Sequence, residues 1–252
     1  NKFNPNKVDF YSLKNNKKIC DLDISMFNDS DAKYTTLSRS TLIQFLKKNI
    51  SKNLINYNKE VTKINQHFNN IELSFNDRTS IECDYLILSD GVFSPTKSLI
   101  VKKEIKPKYF KSIALRASVD KSFYQEINPK NISLFLGSNL HSVLYPTNNS
   151  SELNFVSLLR KDLSNEEIYN YTLFKDKIFV SSILSEISNQ IDPNILQNLK
   201  NIKCFPVFVS KEVHDLKIKN IFIIGDAFFT FPPTFAQGAS QSIEVAFELY
   251  KN

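Results

Sequence analysis

Ile221-Phe222-Ile223-Ile224 runs straight into Gly225-Asp226-Ala227, and a few residues on the chain reads Pro232-Pro233-Thr234-Phe235-Ala236-Gln237-Gly238. A short apolar run of this kind reads as a strand covered on both faces. Glycine lets backbone come close to a ligand where any Cβ would collide. Asp226 then stands at the strand's carboxyl end. From Ala239 to Tyr250, apolar Ile243, Ala246, Phe247 and Tyr250 recur at helical spacing, so unpaired N–H groups at the helix start face the Gln237-Gly238 loop. Such an end attracts a phosphate or an electron-rich ring. Strand, Gly-Asp turn, proline-stiffened loop and a glycine opening a helix together suit the holding of a dinucleotide.

Glycine is scarce, which sharpens the reading: the chain has four, Gly91, Gly137, Gly225 and Gly238. Tyr85-Leu86-Ile87-Leu88, then Ser89-Asp90-Gly91, then Ser94-Pro95-Thr96-Lys97, repeats the order of strand, acidic-glycine turn and helix start. Two strand ends are thereby expected to face one ligand.

The 252 residues allow one large domain or two smaller ones, and 42% hydrophobic with 23% charged residues fits a packed, ordered protein. The apolar runs fall well short of the ~20 residues that span a bilayer, and no amino-terminal signal is present, so the chain reads as cytoplasmic with no transmembrane segment. Cys20, Cys83 and Cys204 are odd in number and without metal-ligand spacing, so they read as plain thiols and no metal site is expected. The formal charge of +6 rests on 32 basic residues of which Arg39, Arg78, Arg116 and Arg160 alone are arginine. Scattered lysines of this kind form a solvated surface, and nucleic acid is not expected as a partner. With no Met at position 1 and a helix still running at Tyr250-Lys251-Asn252, the sequence reads as part of a longer protein.

Along the chain, 18–24 reads as a strand and Thr35 to Ile50 as a helix carrying Arg39 in its first turn. Val61 to Phe68, Ile71 to Phe75 and Ser80 to Leu88 form a meander with turns at Asn69-Asn70 and Asn76-Asp77-Arg78. Ser112 to Val119, Ile132 to Leu136, His141 to Tyr145 and Leu153 to Leu159 predict an antiparallel sheet. Glu166 to Ile187 is helical with a break near Thr172, Ile195 to Leu199 is a short helix, and Lys203 to Val209 is a strand. His141 and Tyr145, four residues apart on a strand, fall on one face. His67 and His214 read as surface residues.

Taken together these segments resemble the single-component flavin-dependent aromatic hydroxylases, which include p-hydroxybenzoate, salicylate and ubiquinone-pathway hydroxylases. Thr36-Leu37-Ser38-Arg39-Ser40-Thr41-Leu42 is similar to the family's helix start, whose arginine touches the flavin. Ser89-Asp90-Gly91-Val92-Phe93-Ser94 resembles the motif that serves flavin and nicotinamide donor. Gly225-Asp226-Ala227 with Pro232 and Gln237-Gly238-Ala239-Ser240 resembles the segment whose Asp bonds the ribityl chain and whose loop lies against the isoalloxazine. Leu136-Gly137 with His141 and Tyr145-Pro146 looks like the substrate-domain strand of the salicylate-hydroxylase branch. The resemblance implies FAD as cofactor, NADH or NADPH as electron donor and O2 as co-substrate. The implied reaction hydroxylates a small aromatic, phenolic or carboxylated substrate through a flavin hydroperoxide. His141 is then the candidate base and Tyr145 orients substrate or relays the proton.

The expected architecture is a mixed α/β fold of the p-hydroxybenzoate hydroxylase type. An FAD-binding lobe of 31–105 and 206–252 and a substrate lobe of 1–30 and 106–205 would enclose the site, and a homodimer is compatible with the sequence. The Gly-x-Gly-x-x-Gly fingerprint is absent. Lys97 stands where the family has Arg, Phe229 where a His follows Gly-Asp-Ala, and Val245 where an Asp follows Glu244. These departures leave other readings open: a sister branch (polyprenyl-phenol hydroxylase, epoxidase or reductase) or a non-catalytic remnant of the fold. Each site residue also has an ordinary alternative, Asp226 and Asp90 as turn residues, Arg39 as a solvated helix residue and His141 as a hydrogen-bonded sheet residue.

Overall fold

The computed structural model describes residues 2–29, 33–120, 122, 128–147, 152–211 and 218–252. The chain divides into two compact units, Asn1–Ser51 with Lys111–Pro206 and Lys52–Phe110 with Val207–Asn252, and it mixes helix and sheet as the sequence predicts.

In the first unit the central element is a seven-stranded sheet in the order Lys200–Val209, Lys108–Asp120, Glu152–Arg160, Leu140–Pro146, Ile132–Leu136, Lys7–Ser12, Lys18–Asp23. From Lys108–Asp120 to Ile132–Leu136 neighbours run antiparallel, as predicted. The exception lies further along, where Ile132–Leu136 runs parallel to Lys7–Ser12 with Ile132 opposite Val8. A parallel join needs a long crossover rather than a hairpin, and more than a hundred residues separate these two strands in sequence.

Strict alternation gives the sheet two unlike faces. Leu140, Leu144, Leu153, Phe155, Leu159, Ile113, Leu115 and Val119 point to one side and are buried. There they pack on Phe174, Ile183, Ile187 and Ile195, contributed by the turn Leu173–Lys175 and the helices Lys177–Ser188 and Pro193–Gln197, which follow the short helix Asn165–Tyr169. The predicted helical break near Thr172 is a tighter turn, Leu173–Lys175. Asp176 restarts the helix by accepting from the Phe179 N–H at 2.9 Å, and Ser164 and Glu167 cap the first segment reciprocally.

The chain start and the Arg39 helix belong to this same unit. Lys2–Phe3 pairs with Thr36–Leu37, Asn4 Nδ2 donates to the Tyr34 carbonyl at 2.9 Å, and Thr36 Oγ1 donates to the Pro146 carbonyl. These bonds tie Tyr34 and Thr36 to the first unit, which runs through Ser51.

The second unit holds the predicted meander, Val61–Gln66, Ile71–Phe75 and Ser80–Cys83, and a parallel pair, Leu86–Leu88 with Ile221–Ile223. Ile71, Leu73, Leu88 and Ile221 form its core. The expectation that Ile221 to Ile224 is covered on both faces is not met. Ile221 is 6% exposed and Ile87 alongside is 51% exposed, while Phe222, Ile223 and Ile224 are half-buried. Among the described residues the pair has no third strand, so its side chains find cover mainly toward the meander. No helix among the described residues is long and apolar enough to cross a membrane.

Candidate functional site

Register fixes the geometry of the two glycine turns. Ile223 lies opposite Leu88 in the parallel pair, and the Ile224 N–H donates to the Leu88 carbonyl at 2.9 Å. Both strands point the same way, so Asp90-Gly91 and Gly225-Asp226 leave one end of the pair together. The sequence reading of two strand ends directed to one place is thereby realised within the second unit.

The Gly225-Asp226-Ala227-Phe228 segment is one turn of helix. Gly225 sits at φ +59°, and a Cβ there would lie 3.0 Å from Ser242 Oγ. Conformation and close packing against the helix Gly238–Lys251 both select glycine. Asp226 is solvent-exposed at the rim, yet surrounding protein still pushes its carboxyl above the usual range through burial. None of the described hydrogen bonds or ion pairs engages that carboxylate. It is an acceptor left available for a hydroxyl donor.

Pro232 and Pro233 stiffen the loop that follows. It closes through Ala236 in the left-handed region at φ +52°, where a non-glycine residue is under strain. Helix Gly238–Lys251 then starts with no side-chain cap. The neighbouring hydroxyls donate rather than accept: Ser240 Oγ to the Gln237 carbonyl at 2.9 Å and Ser242 Oγ to the Gly238 carbonyl at 2.7 Å. Among the described residues the leading N–H groups of Gly238, Ala239 and Ser240 have no side-chain acceptor. A Cβ at Gly238 would meet no protein atom within 4 Å, so the space before this positive helix end is open.

Asp90 is differently employed. Its carboxylate accepts from Ser94 Oγ at 2.7 Å, from the Thr96 N–H at 3.1 Å and from Thr96 Oγ1. It thus ties the Asp-Gly turn to helix Pro95–Val101, whose N-cap is Ser94. Gly91, at φ +87° with open space around it, supplies the backbone freedom of that turn. Lys97 is 3% exposed and reaches across to donate to the Ala227 carbonyl at 2.7 Å.

The remaining predicted residues lie in the first unit. Pairing places Tyr145, Asn154 and Ser118 in one row of the sheet, Val143, Val156 and Arg116 in the next, and His141, Leu158 and Ala114 in a third. All occupy the face opposite the hydrophobic core. Tyr145 shares a hydrogen bond with Asn154. Burial raises its phenol above the usual value, while the nearby Arg116 guanidinium pulls it back and the Tyr34 phenol adds to the rise. Ser118 Oγ is buried with no hydrogen-bond partner among the described residues. His141 is pushed below the usual histidine range by burial. About 13 Å of strand separates His141 from Tyr145, so no direct proton transfer joins them.

Arg39 opens the helix Arg39–Lys47, capped by Ser38 accepting from the Thr41 N–H at 3.2 Å. The Thr36 bond to Pro146 sets this helix start beside the strand that carries Tyr145. His67 is exposed, 3.9 Å from Glu72 Oε2, and His214 lies outside the described residues.

An available Asp acceptor, a glycine-demanding turn and an open, uncapped helix start form a cradle for a ligand rich in hydroxyls and electron density. A family model described as an FAD binding domain matches residues 11–252. The chain belongs to the FAD binding domain family. Salicylate hydroxylase from Pseudomonas putida is 23% identical over 239 residues, covering 85% of this chain and 53% of that protein. Among solved structures, 2,6-dihydroxypyridine-3-hydroxylase from Arthrobacter nicotinovorans superposes with TM-score 0.84 at 15% identity, covering 99% of this chain and 67% of the other. The Klebsiella pneumoniae HpxO complex with FAD and uric acid gives TM-score 0.77 at 14% identity, covering 97% and 62%. These structures share the fold, and the chain spans about half the length of the curated relative it matches. The resemblance to FAD-dependent aromatic hydroxylases is thus borne out.

The residues of this FAD binding domain fit the cofactor. Asp226 can accept a ribityl hydroxyl, and the Gly238, Ala239 and Ser240 N–H groups can donate to the ring. Arg116, Asn154, Ser118 and Tyr34 went unremarked as site residues at the level of sequence. Arg116 alone carried a signal, as one of four arginines and on a strand whose alternate residues are apolar.

Proposed function

We infer that this FAD binding domain forms part of an NAD(P)H-dependent monooxygenase that hydroxylates a small aromatic ring, and that the second unit holds the flavin while the first holds the substrate. The observation that carries the reading is the unlike second face of the sheet. There Arg116, Asn154, Tyr145 and a buried Ser118 Oγ without a hydrogen-bond partner among the described residues gather in adjacent rows on the non-core side.

FAD, when bound, supplies the redox chemistry: NADH or NADPH and a proton, with O2, yield a ring hydroxyl, water and the oxidised nicotinamide. The protein's own residues do the rest. Asp226 and the uncapped helix start bind and orient the cofactor. Arg116 and Asn154 offer donors to an anionic substituent of the ring, which suits a carboxylated or phenolate substrate. His141, whose imidazole burial pushes below the usual histidine range, is the candidate base that accepts a phenolic proton and so makes the ring electron-rich.

The test is a panel of aromatic compounds offered to the full-length protein, with NAD(P)H oxidation followed in parallel with hydroxylated product. Carboxylated phenols should stimulate oxidation coupled to product, and neutral rings much less. Stimulation by none of the panel would count against the reading.

A further inference from the structure

Lys97 is the least expected residue of the second unit. Its ammonium is buried, at 3% residue exposure, and burial lowers its pKa with partial compensation from the Asp90 carboxylate. Burying a cation is costly unless its donors are used. Among the described residues the Lys97 ammonium makes a single directed bond, Nζ to the Ala227 carbonyl at 2.7 Å. Ala227 is itself fully buried, beside Asp226 in the helical turn Gly225–Phe228. The other end of Lys97 is fixed as firmly. Its N–H donates to Ser94 Oγ at 3.3 Å, and Ser94 Oγ donates to Asp90. A continuous chain of polar contacts therefore runs from Asp90 through Ser94 and Lys97 to the carbonyl next to Asp226.

We propose that Lys97 is a positioning residue that locks the Gly225–Phe228 turn so that the Asp226 carboxylate is held ready for the FAD hydroxyl. The turn also packs through Gly225 against Ser242 of the helix Gly238–Lys251. It is four residues long and lacks a side-chain cap. Among the described residues its backbone is otherwise bonded by the Phe229 N–H to the Gly225 carbonyl and by Thr230 Oγ1 to the Asp226 carbonyl, and Thr230 is itself bonded to Ser210. Lys97 is the most remote of these anchors in sequence, 130 residues from Ala227. The distinction between lysine and methionine at this position is then a distinction in cofactor affinity rather than in folding, since an apolar chain of similar length fills the same buried path.

The proposal rests on FAD as the ligand, and the experiment separates the two. FAD is titrated into ligand-stripped full-length wild type, Lys97→Met and Lys97→Arg, with flavin fluorescence for affinity, the visible spectrum for the ring's environment and thermal melting of the ligand-free proteins for fold. Lys97→Met should weaken FAD by about ten- to a hundredfold and shift the bound-flavin spectrum, while its ligand-free melting temperature stays at the wild-type value or above. Lys97→Arg, which keeps a cationic donor, should restore affinity to within about threefold of wild type. Wild-type affinity and spectrum in Lys97→Met would overturn the lock while leaving FAD binding intact. Should Lys97→Met fail to fold, a folded Lys97→Arg with FAD affinity as poor as that expected of the apolar variant would overturn it. A wild type that takes up no FAD would overturn both the lock and the reading beneath it.

Discussion

Ile223 and Leu88 are direct partners in a parallel two-stranded pair, and the placing of the two glycine turns at one end of the pair follows from that register. A shift by one residue would turn each strand's side chains to the opposite face and would carry Asp226 away from the Asp90 turn. The core of Ile71, Leu73, Leu88 and Ile221 holds the register in place.

Asp226 separates function from stability. Burial raises its carboxyl above 3.8, so the folded chain holds this proton more tightly than the unfolded chain. The resulting contribution to stability is complete below about pH 3.8 and is lost as pH rises through the folded value. Asp226→Asn removes that loss. Ligand-free melting of the variant at neutral pH should equal or exceed wild type, while fluorescence titration shows FAD bound at least tenfold more weakly. A variant that melts earlier yet binds FAD normally would mark Asp226 as a turn residue only.

Asp90 should show the opposite balance. Its carboxylate serves Ser94 and Thr96 at a helix start, so Asp90→Ala should cost about 1–2 kcal/mol of stability, the ordinary value of a lost cap. Denaturant unfolding measures this. An unchanged midpoint would mean that the cap contributes nothing.

How much of this was legible in the sequence follows a physical division. Ile221 to Gly238 announced itself because its features are local: an apolar run, glycines with special backbone, prolines, helical spacing. The antiparallel strands were legible for the same reason, through period-two alternation. Lys97 as a cross-link and Asn154 and Ser118 as site neighbours were not legible, because the first depends on a contact across 130 residues and the others on strand register. The double cover expected for Ile221 to Ile224 failed since hydropathy records a preference for burial, not the supply of neighbours.

Arg116 should determine the charge of the substrate. In Arg116→Gln, KM for a carboxylated phenol should rise by about ten- to a hundredfold with a smaller change for a neutral phenol, read from steady-state kinetics of the full-length protein. Equal losses for both substrates would indicate a structural role instead.

His141 should govern the acid limb of the rate. Burial lowers it below 6.5, so the neutral base persists to a lower pH than usual and the limb in kcat/KM should fall below pH 6.5. The same shift means that the unfolded chain takes up the proton first, so stability falls as pH drops through 6.5. His141→Gln should abolish both effects and slow hydroxylation by about 10²-fold or more, with flavin reduction unaltered. Retention of the acid limb in this variant would assign it to another group.

The central claim is that these two turns and the uncapped helix hold FAD for ring hydroxylation. Its most direct measurement is the visible spectrum of the purified full-length protein, followed by NAD(P)H oxidation with phenolic acids. A yellow protein whose oxidation is stimulated by substrate and yields hydroxylated product is the predicted result. A colourless protein that cannot be reconstituted with FAD would contradict the account.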